Sequence, residues 1–269
     1  SQRSGTDVTM TDATTSDRRS GRKTGRWIAV IVVVVLLLVA AAVAAEFIAR
    51  SVVTSTVRSL VVTNVGLPDD QDVDVQVAGL VLPQVIAGRL DEVDVASDDV
   101  TLGPITGDVR VDLRGVPVSA GSAAEGGVAS VRLDQEQVRA LLAELPDLPA
   151  GTVALAAPDV TFETSLSLFG IGIPIGVTVT PGAADGDLTL TPSSFQVAGN
   201  LLDADTLRGQ FGGVADGILQ TSSLCIADRL PSGLTLTSAT VQGQDLVATF
   251  DIAGGIVNDP ALQANGTCG

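Results

Sequence analysis

Histidine and tyrosine are absent from this 269-residue chain, which has one Trp, one Met, two Cys and six Phe. Without imidazole there is no Ser-His-Asp triad, no His-ligated zinc and no histidine acid–base step. The scarcity of rings leaves Val, Leu, Ile and Ala to build any core. Positive charge is scarce as well: after residue 26, nine Arg stand against 28 Asp and Glu. Such a surface repels phosphate backbones, which excludes nucleic acid as a partner.

The acidic residues do not form a ligand pattern. Asp70, Asp72 and Asp74, just after Asp69, superficially match a calcium loop, but Val75 stands where the loop needs Gly and Val81 where it needs Glu. They read as the outer face of a strand, and Asp91, Glu92, Asp94, Asp98 and Asp99 as a solvated edge. Carboxylate pairs can hydrolyse glycosides, yet sequence proximity singles out no pair here. Gly170, Gly172 and Gly176 lie inside a strand pattern with no helix following, so they are not a phosphate loop. No catalytic residue, metal ligand or cofactor is expected.

What the chain does have is one long apolar run, Trp27 to Ala45, free of charge and proline. Its 19 residues rise by ~28 Å as a helix, close to the ~30 Å of a bilayer core. A basic cluster, Arg18 to Arg26, precedes it, so the positive-inside rule predicts a cytoplasmic N-terminus and an exported bulk. Residues 1–26, rich in Ser, Thr, Asp, Arg and Gly, read as a disordered cytoplasmic tail. A rival reading is a signal peptide, because Ala42-Val43-Ala44 resembles a cleavage site. The run exceeds the usual length of such a core, which favours an uncleaved single-pass anchor. Cys225 and Cys268 both fall in the exported part, where an oxidising compartment is expected to pair them as a disulfide; the alternative is two buried free thiols.

Beyond the run, Val53, Val57, Leu60 and Val61 recur at helical spacing, and Gly66-Leu67-Pro68 ends the pattern. From Asp72 the period becomes two. Val73/Val75/Val77, Val93/Val95 and Val109/Val111/Leu113 alternate with polar residues, and GLVLPQVIAGRL between the first two predicts a short helical turn or loop. After a strand at Val131–Leu133, Asp134 and Gln137 make a capping-box-like start to a helix carrying Val138, Leu141, Leu142 and Leu145. Strands follow over Val160–Leu168 and Ile171–Val179, then at Leu188/Leu190 and Phe195/Val197. A helix is expected over 203–222, then strands at Leu234/Leu236 and Leu246–Ile252. About ten one-sided strands with few helices predict an α+β fold whose antiparallel sheet curls around helices to hide its apolar face. Residues 46–269 are read as one extracytoplasmic domain.

The segment VDVQVAGLVLPQVIAGRLDEVDVASDDVTLGPITGDVRVDLRGVPV, residues 73–118, resembles the LmeA-like phospholipid-binding family of bacterial envelope proteins. The likeness lies in the Val-rich strand, the link with Gly79 and Pro83, the A-G-R and V-D-V that follow, Asp98-Asp99-Val100, and the closing Leu113-Arg114-Gly115-Val116. LPSGLTLTSATVQGQDLVATFDIAG is similar to that family's last hairpin, so the resemblance runs over roughly residues 46–255. Where the family often has a Phe in the link, this chain has Leu80-Val81-Leu82. The resemblance implies a tubular lipid-binding fold, a curved sheet around a long helix and an apolar slot, with a role in envelope lipid or lipoglycan handling and no catalytic residues. The expected partners are a phospholipid or glycolipid, the membrane, and an envelope biosynthesis enzyme; the alternative is a non-enzymatic scaffold for an envelope glycosyltransferase. Expected slot positions are Leu80, Leu82, Val85, Ile86, Leu141, Phe162, Leu168, Ile173, Phe211 and Ile218.

Overall fold

The computed structural model describes residues 22–65, 67–68, 70–102, 105–119, 121–143, 152–168, 171–197, 199–213 and 219–268. Most of the expected tail, the end of the helix near Leu145, and Ile218 lie outside them. The chain divides into two compact units, Ser1–Phe47 and Ile48–Gly269. A single helix, α1 (Arg22–Val65), runs unbroken through 44 residues, ~66 Å by helical rise. Its stretch Val30–Thr63 is long and apolar enough to cross a membrane, and every side chain from Val30 to Val39 is exposed. Eight Val and Thr residues over 46–64 argue against helix by propensity. There the Thr54 and Thr56 hydroxyls bond back to the Arg50 and Val52 carbonyls, and packing against a sheet supplies the rest.

The second unit is an α+β fold of two antiparallel sheets without a closed barrel. Sheet 1 has the order β1-β2-β3-β4-β12-β11, built from β1 (Asp74–Val77), β2 (Arg89–Leu102), β3 (Ile105–Pro117), β4 (Gly126–Leu133), β11 (Leu234–Gln242) and β12 (Asp245–Ala253). Sheet 2 has the order β10-β8-β7-β6-β5, from β5 (Thr152–Ala156), β6 (Asp159–Leu168), β7 (Ile171–Ala184), β8 (Asp187–Val197) and β10 (Ser222–Leu224), with β9 (Asn200–Asp203) also paired to β8. The last hairpin therefore returns to the first sheet and docks on β4.

The link between β1 and β2 is the helix α2 (Val81–Ala87). Pro83 is tolerated because it falls in the first turn, and Gly88 closes the helix in the left-handed region at φ 81°. Asp134 and Gln137 form the reciprocal cap of α3 (Gln135–Ala143), each accepting the other's backbone N–H at 2.8 and 2.9 Å. The helix expected over 203–222 is shorter: α4 spans Ala204–Phe211, Gly212 turns at φ 53°, and Ser222–Leu224 is strand. Gly212 in its positive-φ conformation closes α4, Gly213 is again helical, and residues 214–218 lie outside the described residues. Cys225 and Cys268 are joined in a disulfide, which ties the segment after β10 to the chain beyond β12.

Two bulges keep the apolar side of sheet 1 in phase. In β2 the register shifts between Ser97 and Val100, with Asp99 at φ 51°, so that Val93, Val95 and Val100 share one face. In β11 it shifts between Leu236 and Ser238, which turns both Leu236 and Ala239 inward.

Candidate functional site

On the β1–β2 flank of sheet 1 the apolar face is closed by the chain itself. Ala49, Val53 and Val57 of α1 pack with Val85 of α2 over Val77, Val81, Leu90 and Val93, and Val81 and Val93 are 0% and 1% exposed. Further along α1, Val61 and Val62 pack on Leu67, Val73 and Val100. Arg50 pins the start of this packing by donating to the Val77 and Gly79 carbonyls at 2.9 and 2.6 Å.

Sheet 2 has two chemically different faces. One carries hydroxyls: Thr161 meets Thr178 at 3.2 Å, and the Thr180 hydroxyl donates to Asp159 at 2.5 Å. The other is an apolar row that crosses the strands in register: Val153 opposite Phe162, Phe162 opposite Val177, Val177 opposite Phe195, and Phe195 opposite Leu202. At the β5 end this row is covered by Val138 and Leu141 of α3 and by Leu133, Val241 and Leu246 of sheet 1, so the apolar faces of the two sheets meet there. At the β9 end Leu207 of α4 and Leu219 cover Phe195 and Leu202. Between the two covers, Ile175, Val177 and Val179 of β7 are half-buried. On sheet 1, Val111, Leu113 and Phe250 of the central strands are half-buried too.

The residues expected to line a slot divide among these regions. Leu141 and Phe162 meet in the packing between α3 and β6. Val85 belongs to the closed flank under α1, Leu82 is half-buried, and Leu80 and Ile86 are 64% and 79% exposed on α2 or its cap. Leu168 and Ile173 hold register positions in the β6–β7 ladder, opposite Ile171 and Leu166. Phe211 ends α4, and Ile218 lies outside the described residues. Val177, Val179 and Phe195, not among the expected slot positions, lie on this partly covered apolar row; their alternation with Thr178, Thr180 and Ser194 marked the face, and nothing local marked which part of it the covers leave half-buried.

Polar chemistry collects on the opposite side of sheet 1. An open hollow of about 460 Å³ is lined by Asp98, Asp99, Asp108, Arg110, Arg132, Asp134, Gln137 and Asp245. Arg132 pairs with Asp245 at 2.8 Å and Asp108 accepts the Asp99 N–H at 3.1 Å, so these groups largely satisfy one another. Nearby, Asp94 faces Asp112 across the β2–β3 ladder. The shared hydrogen bond with Asp112, partial burial, and the charges of Asp112 and Glu92 raise the Asp94 carboxyl above the ordinary range. At the start of α4, the Thr206 N–H holds Asp203 below it. Among the described residues no three His, Cys, Asp or Glu side chains gather to hold a metal. The family model of LmeA-like phospholipid-binding proteins matches residues 44–251. No curated protein and no solved structure gives a match.

Proposed function

Because the chain belongs to the LmeA-like phospholipid-binding family, we propose that residues 46–269 shelter the acyl chains of a phospholipid or glycolipid during cell-envelope lipid or lipoglycan handling. The observation that carries this reading is the apolar row of sheet 2, covered at both ends and half-buried along β7. Ile175, Val177 and Val179 offer aliphatic surface there, with Thr164 opposite Ile175 as a polar group on the same face, and Leu141 and Phe162 extend it; Leu168 and Ile173 hold further register positions in the same ladder. Binding by such a wall is burial of methylenes at about 0.8 kcal/mol each, with little demand on headgroup chemistry. In this reading Trp27–Ala45 spans the membrane once, the basic N-terminal segment stays in the cytoplasm, and the acidic domain is extracytoplasmic. The protein is non-enzymatic and keeps its domain close to the lipid it serves.

Native mass spectrometry of the full chain in detergent tests the reading. Co-purifying lipid, together with uptake of a fluorescent phospholipid that Val177→Asn weakens, is the expected result. A chain that carries no lipid, takes up none, and instead holds an envelope glycosyltransferase would replace this reading by a scaffold.

A further inference from the structure

The two ends of sheet 1 differ in charge. At one end lie the β2–β3 and β11–β12 turns and the start of α3, where Asp98, Asp99, Asp108, Asp134 and Asp245 gather. The other end holds three connections: 79–88 between β1 and β2, 115–124 between β3 and β4, and 252–258 after β12. None of these three stretches contains an Asp, Glu, Lys or Arg, in a chain of net charge −16. Of the charged residues that flank these stretches, Arg89 and Glu125 neutralise each other as an ion pair, and Arg114, Asp251 and Asp259 are exposed at their borders.

Hydrogen bonds fasten the three connections into one surface. The Val118 N–H reaches the Gly88 carbonyl and the Ala124 N–H the Gly254 carbonyl, both at 3.0 Å, while the Asn258 carboxamide donates to the Ser122 carbonyl. Large apolar side chains stand out from it into solvent: Leu80, Ile86, Val118 and Val257. A buried core explains none of them, and each belongs to a different turn of chain or a different connection. Along β2 the acidic Asp98 and Asp99 lie nine and ten residues beyond Arg89, ~30 Å away.

Chain continuity supplies the occupant. Arg50 ties α1 to the Val77 and Gly79 carbonyls, so the second unit begins, at the exposed Ile48, beside this uncharged end. The residues covalently before Ile48 are the apolar run. We infer that Leu80, Ile86, Val118 and Val257 form a docking surface for the lipid bilayer, seating the domain end-on with its acidic end pointed away. This rests on the reading of Trp27–Ala45 as an anchor, because the anchor brings the bilayer to this end. Apolar side chains set at the headgroup boundary gain by burial, and connections that carry no charge of their own lower the repulsion between an acidic domain and anionic lipid at this end. The same seat would set the inner apolar faces of both sheets close to the leaflet that supplies their cargo.

Trp27 is the only tryptophan, which gives the test a clean probe. The full chain is reconstituted into phosphatidylglycerol–phosphatidylethanolamine vesicles with brominated acyl chains. In a Trp27→Phe background, Leu80→Trp, Ile86→Trp and Val257→Trp report the docking surface, and Gln242→Trp reports the acidic end. Loss of most emission and a blue shift for the first three, with Gln242→Trp unchanged, is expected. If the first three emit like Gln242→Trp, the docking surface is wrong. The unaltered chain reads the anchor separately: Trp27 quenched beside three unquenched probes sinks the docking surface alone, whereas Trp27 unquenched sinks the anchor.

Discussion

The β1–β2 flank of sheet 1 and the β6–β8 part of sheet 2 carry the same pattern, Val or another aliphatic residue at every second position, yet they end in different states. On the flank, α1 and α2 lie over the alternating residues and Val81 and Val93 lose all contact with solvent. On sheet 2, α3 and α4 cover the two ends of the row and leave Ile175, Val177 and Val179 half-buried. Alternation tells which face is apolar. It does not tell whether the chain supplies its own cover.

The largest expected effect comes from breaking what holds the two regions together. The Cys225–Cys268 bridge closes 43 residues of sequence separation between a sheet 2 edge and the chain beyond sheet 1. Cys225→Ser with Cys268→Ser should lower unfolding free energy by about 4 kcal/mol in the chain-entropy model, read as a denaturant midpoint shift. Leu90→Ala then tests the closed flank: a loss of about 2–5 kcal/mol is expected from a core position of this burial, with lipid uptake per folded molecule unchanged. Val177→Asn is the mirror experiment, in which fluorescent-phospholipid uptake should fall more than stability does. Equal losses of stability at Leu90 and Val177 would erase the distinction between the two regions.

Smaller effects sharpen the borders. Asp134→Ala removes the reciprocal cap of α3, the cover at the β5 end, and should cost about 1 kcal/mol, with faster amide exchange confined to α3. The least effect belongs to Asp94. Its folded pKa is raised, so its contribution favours the fold below the ordinary aspartate range and is lost as pH rises through the folded value. Asp94→Asn should therefore raise the melting temperature slightly at pH 7 and lose that advantage towards pH 3. An unchanged difference across that span would count against the Asp94–Asp112 repulsion.

Much of this was legible in the residues. Alternation located most of the strands, Asp134 and Gln137 announced α3, and Gly66-Leu67-Pro68 marked the end of α1, the last of these lying at the edge of the described residues. The Val-rich block over 73–118 pointed to the family that the match over 44–251 identifies. What stayed hidden has physical causes. Bulges at Asp98-Asp99 and at Thr237 interrupt a period of two by one residue, and a pattern reader takes that as the end of a strand. The strands β5, β9 and β10 have five residues or fewer, too short for a period to declare itself. The helix expected over 203–222 breaks at Gly212 and has given way to strand by Ser222, because the in-phase apolar pattern from Leu207 and Phe211 does not register a glycine turn; residues 214–218 lie outside the described residues. Which part of an apolar face stays half-buried was hardest to read, since it depends on which distant element covers that face.

The fate of β11 reaches beyond lipid. As an outer strand of sheet 1 it would present a row of free amides and carbonyls, the template on which sheets of neighbouring molecules stack. Gly186, at the tip of the β7–β8 turn, forms a bridge with Leu236, and sheet 2 lies along the strand. The opposite outer strand, β1, is four residues long and exposes Asp74 and Gln76. Under the proposed anchoring, molecules concentrated in the plane of a membrane would meet edge to edge far more often than in dilute solution. A capped strand on one side and a short acidic one on the other protect this chain from self-assembly into cross-β aggregates.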